Sequence, residues 1–273
     1  GPRLVVGAGD QVLLVDVSDP AAMTIAGGVS VGAPITGAAL RGGLAAVTGP
    51  FGVGTLSVET MTAATSLALI PTPAPARDLV LSGDVAFVAT DAGIATVALG
   101  VPGVGLLDAN ADGRDDRVLS TSLTSMGFLA LDGAFGRLAA VTGDGTAAGF
   151  RIIAGTSLTF VGQLATGAPA AGVMTVGADA YAAGSSGLRR ALFGATPPVL
   201  GAATSSALLT FSGPIDRYKD VAVVGRFGSS FMVSFIGLGL QGSLPLLGEV
   251  GYGALTDARV PKGLGVSGQL HFV

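Results

Sequence analysis

A short run of small apolar residues recurs seven times along this 273-residue chain. It reads LVVGAG from Leu4, LAAVTG from Leu44, VAFVAT from Val85, LAAVTG from Leu138, DAYAAG from Asp179, VAVVGR from Val221 and GLGVSG from Gly263. Successive starts lie 40, 41, 53, 41, 42 and 42 residues apart. The runs are short, rich in Val and Ala, and bounded by Gly, Asp, Ser or Pro, so the unit consists of strands and tight turns, not helices. A unit of that length cannot bury an apolar face alone and must stack on its neighbours. The spacing predicts an all-β chain: a β-propeller of six or seven four-stranded antiparallel blades, seven being favoured, with residues 1–273 as a single domain.

Each repeat parses into four strands, a to d from the inside outward. In the second they are 35–40, 44–49, 53–59 and 65–70; in the third 77–82, 85–90, 93–99 and, after an insertion, 117–123. The chain opens on b (4–9) and c (12–17) and ends on b (263–268) and c (269–273), which leaves seven b and seven c strands but six a and six d. Two incomplete blades fit that count, and so does a six-bladed ring with a spare strand pair. Ala and Gly dominate a and b, where inner strands crowd around the axis.

Composition narrows the function. Charged residues make up 12% of the chain and its net charge is −4, which argues against nucleic acid as a partner. Cysteine is absent, so disulfides and thiol nucleophiles are excluded. The 45 glycines suit many turns with positive φ. Phe227 to Gly248 carries no charge and is long enough for a membrane helix. Gly228, Gly237, Gly239, Gly242 and Pro245 interrupt it, so it reads as two strands, 230–236 and 242–248. With no Trp and three Tyr the chain lacks the aromatic girdles of a membrane barrel, and no membrane span is expected. Gly1-Pro2 has the form of a remnant left by a tag-removing protease, so the chain is expected to be part of a longer one.

The richest chemistry lies in the one long interval, at Asp108-Ala-Asn110-Ala-Asp112-Gly113-Arg114-Asp115-Asp116. Side-chain oxygens at loop positions 1, 3, 5 and 9, a Gly at 6 and a backbone carbonyl at 7 suit Ca²⁺, which takes six to eight oxygens. Asp108, Asn110, Asp112 and Asp116 with the Arg114 carbonyl are the candidate ligands, within an inserted calcium loop at 100–116. Position 12 is Leu119 and no helices flank the loop, so it is not an EF-hand. A second cluster, Asp216-Arg217-Tyr218-Lys219-Asp220, reads as an a–b loop offering a partner-contact epitope, since Tyr and Arg anchor interfaces. Ten of the sixteen aspartates fall in or beside a–b and c–d loops, which predicts one acidic face. The single histidine, His271, gives a Ser-His-Asp triad little to stand on.

VLLVDVSDP, Val12 to Pro20, resembles the LVIVD repeat, a propeller repeat of bacterial and archaeal surface or secreted proteins; VAFVATDAGIATVAL, 85–99, is similar to the preceding part of that repeat. The 108–116 loop is similar to the short calcium loops of FG-GAP-type propellers. The resemblance implies a propeller in an extracellular or cell-surface setting and implies no catalytic residues. The expected function is therefore non-enzymatic: protein or glycan binding, adhesion or surface assembly, with one Ca²⁺-stabilised loop. The alternative is a propeller hydrolase or lyase that acts on polysaccharide through Asp residues near the central channel.

Overall fold

The computed structural model describes the chain except residues 1–2, 20–21, 59–67, 101–105, 204–210, 212–214, 219, 228–229, 239–243, 255–264, 268–269 and 273. Among the described residues there is no α-helix, and strands make up nearly all of the regular structure. The chain divides into two compact units: Gly1–Phe128 with Ala154–Ser157, and Leu129–Ile153 with Leu158–Val273.

The first unit opens with a three-stranded sheet, β1 (Arg3–Ala8), β2 (Gln11–Asp16) and β3 (Thr24–Ser30). A four-stranded sheet follows, β4 (Gly37–Arg41), β5 (Leu44–Gly49), β6 (Gly52–Ser57) and β7 (Ala68–Ile70). Next comes β8 (Ala76–Ser82), β9 (Val85–Thr90), β10 (Gly93–Ala98) and β11 (Val118–Ser122). In the second unit the sheets are β12 (Phe128–Ala134), β13 (Arg137–Thr142), β14 (Thr146–Ile153), β15 (Ser157–Ala165); then β16 (Ala170–Val176), β17 (Asp179–Gly184), β18 (Gly187–Leu192), β19 (Val199–Ala203); then β20 (Ile215–Tyr218), β21 (Val221–Phe227), β22 (Ser230–Gly237), β23 (Leu246–Ala254). A two-stranded hairpin, β24 (Gly265–Ser267) and β25 (Leu270–Phe272), comes last. Within each sheet, strands adjacent in sequence are paired neighbours, antiparallel as short connections require.

Burial explains why the b strands read as they do. All six residues of β9 are buried, as are five of the six in β5, so both faces of these strands are covered. A strand enclosed on both faces cannot alternate apolar with polar, and Ala-Val runs satisfy that constraint. In the first unit Ala46, Val53, Leu79, Val88 and Val97 pack into one core cluster. In the second, Ala139, Val141, Val173 and Ala182 do the same. Of the outer strands, β3 and β15 are exposed along most of their length.

The strand parse holds for b, c and d, with seven, seven and six strands. Among the described residues the a strands number five, β4, β8, β12, β16 and β20. Six blades fit: five four-stranded sheets and the N-terminal three-stranded one, with the C-terminal hairpin after them. The chargeless stretch forms β22 and β23, paired antiparallel, although β23 starts at Leu246, later than its predicted 242. No helix among the described residues is long and apolar enough to cross a membrane.

Candidate functional site

The insertion between β10 and β11 turns its polar side chains onto its own backbone. Asp108 accepts from the Asp112 N–H at Oδ1 (3.0 Å) and from the Gly113 N–H at Oδ2 (2.8 Å). Asn110 Oδ1 also accepts from Asp112 N (2.9 Å), and Asp112 Oδ1 accepts from Arg114 N (2.8 Å). Asp116 Oδ2 accepts from Ala109 N at 2.7 Å. Gly113 takes the left-handed φ of 79° that the sharp turn needs. Among the described residues, no three His, Cys, Asp or Glu side chains converge closely enough to hold a metal ion. Asp115 departs from its neighbours: it is buried and bound to the buried Arg117, whose Nε and Nη2 each reach it at 2.7 Å.

A second place on the second unit gathers more varied chemistry. A cleft of about 140 Å³ is lined by Asp179, Tyr181, Arg190, Arg217 and Asp220, with Val176 and Leu238 as its apolar walls. Asp179 and Tyr181 share one face of β17 because they are two residues apart, and Arg190 lies opposite Tyr181 on β18. Arg190 donates to Asp179 Oδ2 from Nε (3.1 Å) and Nη2 (2.6 Å). Its guanidinium carbon lies 5.9 Å from the centre of the Tyr181 ring. The Asp179 hydrogen bond holds the Arg190 pKa above its usual value, and burial pushes the Tyr181 phenol up. Arg217 is exposed and forms no ion pair with a described residue.

The charge cluster at 216–220 is placed differently from expectation. Asp216, Arg217 and Tyr218 belong to β20, in register with Val223, Ala222 and Val221, and are not in a loop. The hairpin is too tight to hold them: β21 begins only three residues after Tyr218. Lys219 and the Tyr218 side chain lie outside the described residues. Of the cluster, Arg217 and Asp220 reach the cleft.

Asp132 lies within β12. Its Oδ2 accepts from Thr175 N at 2.6 Å, while Thr175 Oγ1 donates to the Asp132 carbonyl at 2.9 Å, tying β12 to β16. Burial pushes its carboxyl above the usual carboxylate range and the Asp216 charge adds to the rise, against the pull of the Thr175 and Gly133 N–H groups. A carboxyl raised by folding binds its proton more tightly folded than unfolded. Its contribution is complete below the ordinary value of 3.8 and is lost as pH rises through the folded value. Asp132→Asn keeps an oxygen acceptor but cannot ionise. Its Tm relative to wild type is expected to climb from about pH 4 to about pH 7. A flat or falling difference in a melting series would contradict this.

No protein-family model matches the chain, and no curated protein matches it. Solved structures do. The computationally designed Ika8 protein superposes with a TM-score of 0.68 at 12% identity, over 99% of this chain and 77% of that one. The β-propeller domain of Myceliophteria thermophila Cps50 (Swd1) gives 0.66 at 12% identity, over 93% and 83%. The fold is a β-propeller. A functionally unknown protein from Desulfotomaculum acetoxidans gives 0.67 at 15% identity, over 94% and 82%. At these identities the likeness concerns the fold alone.

The cleft thus sits at the a–b end of the propeller blades β16–β19 and β20–β23. Sequence reasoning missed Tyr181 and Arg190 as site residues, though a signal was there. Counted along the recurring run, the other six start with Leu, Val or Gly where this one has Asp179, and Tyr181 stands where the run at 44–49 has Ala46. A charged residue and a phenol inside a pattern built for small apolar groups mark a blade that departs from its sisters.

Proposed function

We propose that this propeller is a non-enzymatic binding module of the extracellular space or cell surface, serving adhesion or surface assembly. It holds a protein or glycan partner at the cleft between β17, β18 and β20. The carrying observation is the arrangement there: Arg190 is set by Asp179 over the Tyr181 ring, beside an Arg217 with no ion-pair partner among the described residues. Arg and Tyr seated in a partly enclosed pocket are the typical anchors of interfaces. The extracellular setting is supported by the LVIVD-like turn. There Asp16 accepts from the Ser18 N–H at 2.9 Å and from the Ser18 hydroxyl, which together hold its carboxyl below the usual range. Panning a random-peptide display library and a glycan array with wild type and with an Arg190→Ala/Arg217→Ala double variant tests the reading. Ligands retained by wild type and lost by the variant are expected. No ligand on either platform, or ligands indifferent to the variant, would overturn it.

One calcium ion at the insertion is part of this reading. Asp108, Asn110, Asp112 and Asp116 through side-chain oxygens, and Arg114 through its carbonyl, would hold it, in exchange for the backbone N–H groups that their side chains accept from here. The donors are hard oxygens, as Ca²⁺ prefers, and the ion would neutralise a crowded acidic loop. Melting is expected to rise by a few degrees with Ca²⁺ over chelator, and proteolysis around 106–116 to slow. Identical curves would remove the ion from the proposal.

A second reading rests on the raised Asp132 carboxyl and the nearby Asp216 charge. A carboxyl that keeps its proton beside a second carboxylate can serve as the acid in polysaccharide hydrolysis or lysis. Release of reducing ends from a polysaccharide, abolished by Asp132→Asn, would establish it.

A further inference from the structure

Within the second unit the a–b turn joining β12 to β13 breaks a rule its sisters keep. In the β4–β5, β8–β9 and β16–β17 hairpins the first turn residue is glycine: Gly42, Gly83 and Gly177, with φ of 58°, 63° and 60°. In the β12–β13 hairpin that position is Phe135, with φ 50°, followed by Gly136 at 74°. Two successive positive φ values make a type I′ turn, in which Asn-Gly is favoured and a bulky side chain is strained. Phe135 gains no burial in return, since it is 90% exposed. A large aromatic held in an unfavourable backbone conformation and presented to water is a feature that folding does not explain.

Phe135 is not isolated from the cleft. Arg137, two residues on, shares a crevice with Asp179 and Thr175, and Asp179 in turn lines the cleft with Arg217. The strip from Phe135 to Arg217 carries three arginines, Arg137, Arg190 and Arg217, against Asp179 and Asp220. Arg190 and Asp179 satisfy each other. Arg137 and Arg217 have no ion pair among the described residues, and three arginines against two aspartates leave the strip one positive charge in excess on a chain whose net charge is −4. A cleft of about 140 Å³ is below the few hundred cubic ångströms that enclose a small-molecule ligand, but it admits one side chain of a larger partner.

Resting on the binding reading above, we infer that the partner is an acidic polypeptide segment. It places a carboxylate side chain against Arg217 in the cleft and an aromatic or apolar side chain against Phe135. Arg190, fixed by Asp179, forms the cationic wall, and Arg137 meets a further acidic group between the two anchors.

The probe is a labelled random copolymer of glutamate and tyrosine, which offers both groups, with poly-glutamate and polygalacturonate beside it. Fluorescence anisotropy with the full chain is expected to show the copolymer bound more tightly than either, and more weakly as salt rises. Arg217→Ala should weaken it about tenfold, and Arg217→Lys less, because the charge remains without the fork geometry. Phe135→Asn should weaken binding several-fold while leaving Tm unchanged or higher, since Asn-Gly suits the turn. That opposition separates a contact role from a structural one. No copolymer binding, or binding indifferent to both variants, overturns the inference. Polygalacturonate preferred over the copolymer in an Arg217-dependent way overturns it too, while leaving the binding reading intact.

Discussion

Replacing Arg117 with alanine is expected to cost about 3–5 kcal/mol of stability, the penalty for stranding a buried carboxylate without its partner. For a chain of this size that corresponds to a Tm lower by roughly 10 °C. Both side chains are almost wholly removed from water, at 1% and 0% exposure, so solvent cannot take over when one is lost. Asp115 also accepts from its neighbours' backbone, at 3.0 Å from Arg117 N and 3.2 Å from Leu107 N. Arg117 Nη2 reaches the Leu69 carbonyl of β7 at 3.3 Å, and Ala98 N donates to the Arg117 carbonyl at 2.8 Å. One residue therefore fastens the end of the insertion to its own blade through its backbone and to the outer strand of the blade before it through its side chain. Burial pushes the Asp115 carboxyl up, but the hydrogen bonds from Arg117 and Leu107 outweigh it, and the carboxyl stays below its usual range. A depressed carboxyl stabilises above the unfolded value near 3.8 and loses that contribution as pH falls through the folded value. The Arg117→Ala deficit should accordingly shrink in strong acid. Replacing the pair together, Asp115→Leu with Arg117→Met, should cost far less than the single change, because no charge is left stranded. Denaturant unfolding decides this: a single-variant loss below about 1 kcal/mol would show that water reaches the site.

The residues that could be read from sequence are those whose environment leaves little choice. Leu44–Gly49 and Val85–Thr90 form strands with the bounds the repeat implies, because strands covered on both faces tolerate only small apolar runs. The a strands moved by at most two residues, β4 at both ends and β8 at its start, since their limits are set by turn geometry and not by the apolar pattern. Asp115 could not be separated from Asp108, Asp112 and Asp116 by residue type. What distinguishes it is the inward turn that brings it to Arg117, a fact of backbone direction within an irregular loop. Arg217 stood out as a charge, yet its cleft was hidden because the walls come from four strands of two blades, with Asp179 and Arg217 thirty-eight positions apart. Pattern along one repeat reveals packing within a blade. A surface shared by two blades needs the spatial order as well.

Gly145→Ala is expected to destabilise the fourth blade by about 3 kcal/mol, from strain and overlap together. Gly145 lies in the turn between β13 and β14 with φ 89°, where an L side chain is disfavoured. A Cβ built there would lie 1.9 Å from the Ala168 carbonyl oxygen and 2.6 Å from its carbon. That carbonyl cannot simply retreat. Thr166 donates to the Gly145 carbonyl from its N–H at 2.7 Å and its hydroxyl at 2.8 Å, and the hydroxyl lies 3.0 Å from Ala168 O. The connection leaving β15 is thus laced to the turn, and a methyl group must break the lacing or displace it. Gly155→Ala supplies the comparison, because Gly155 has a similar φ of 77° but nothing within 4 Å of a built Cβ. It should show the backbone strain alone, about 1 kcal/mol. Chemical denaturation of the two variants therefore isolates the close approach. Equal losses would mean that the chain at 166–168 yields freely and that strain accounts for the whole effect.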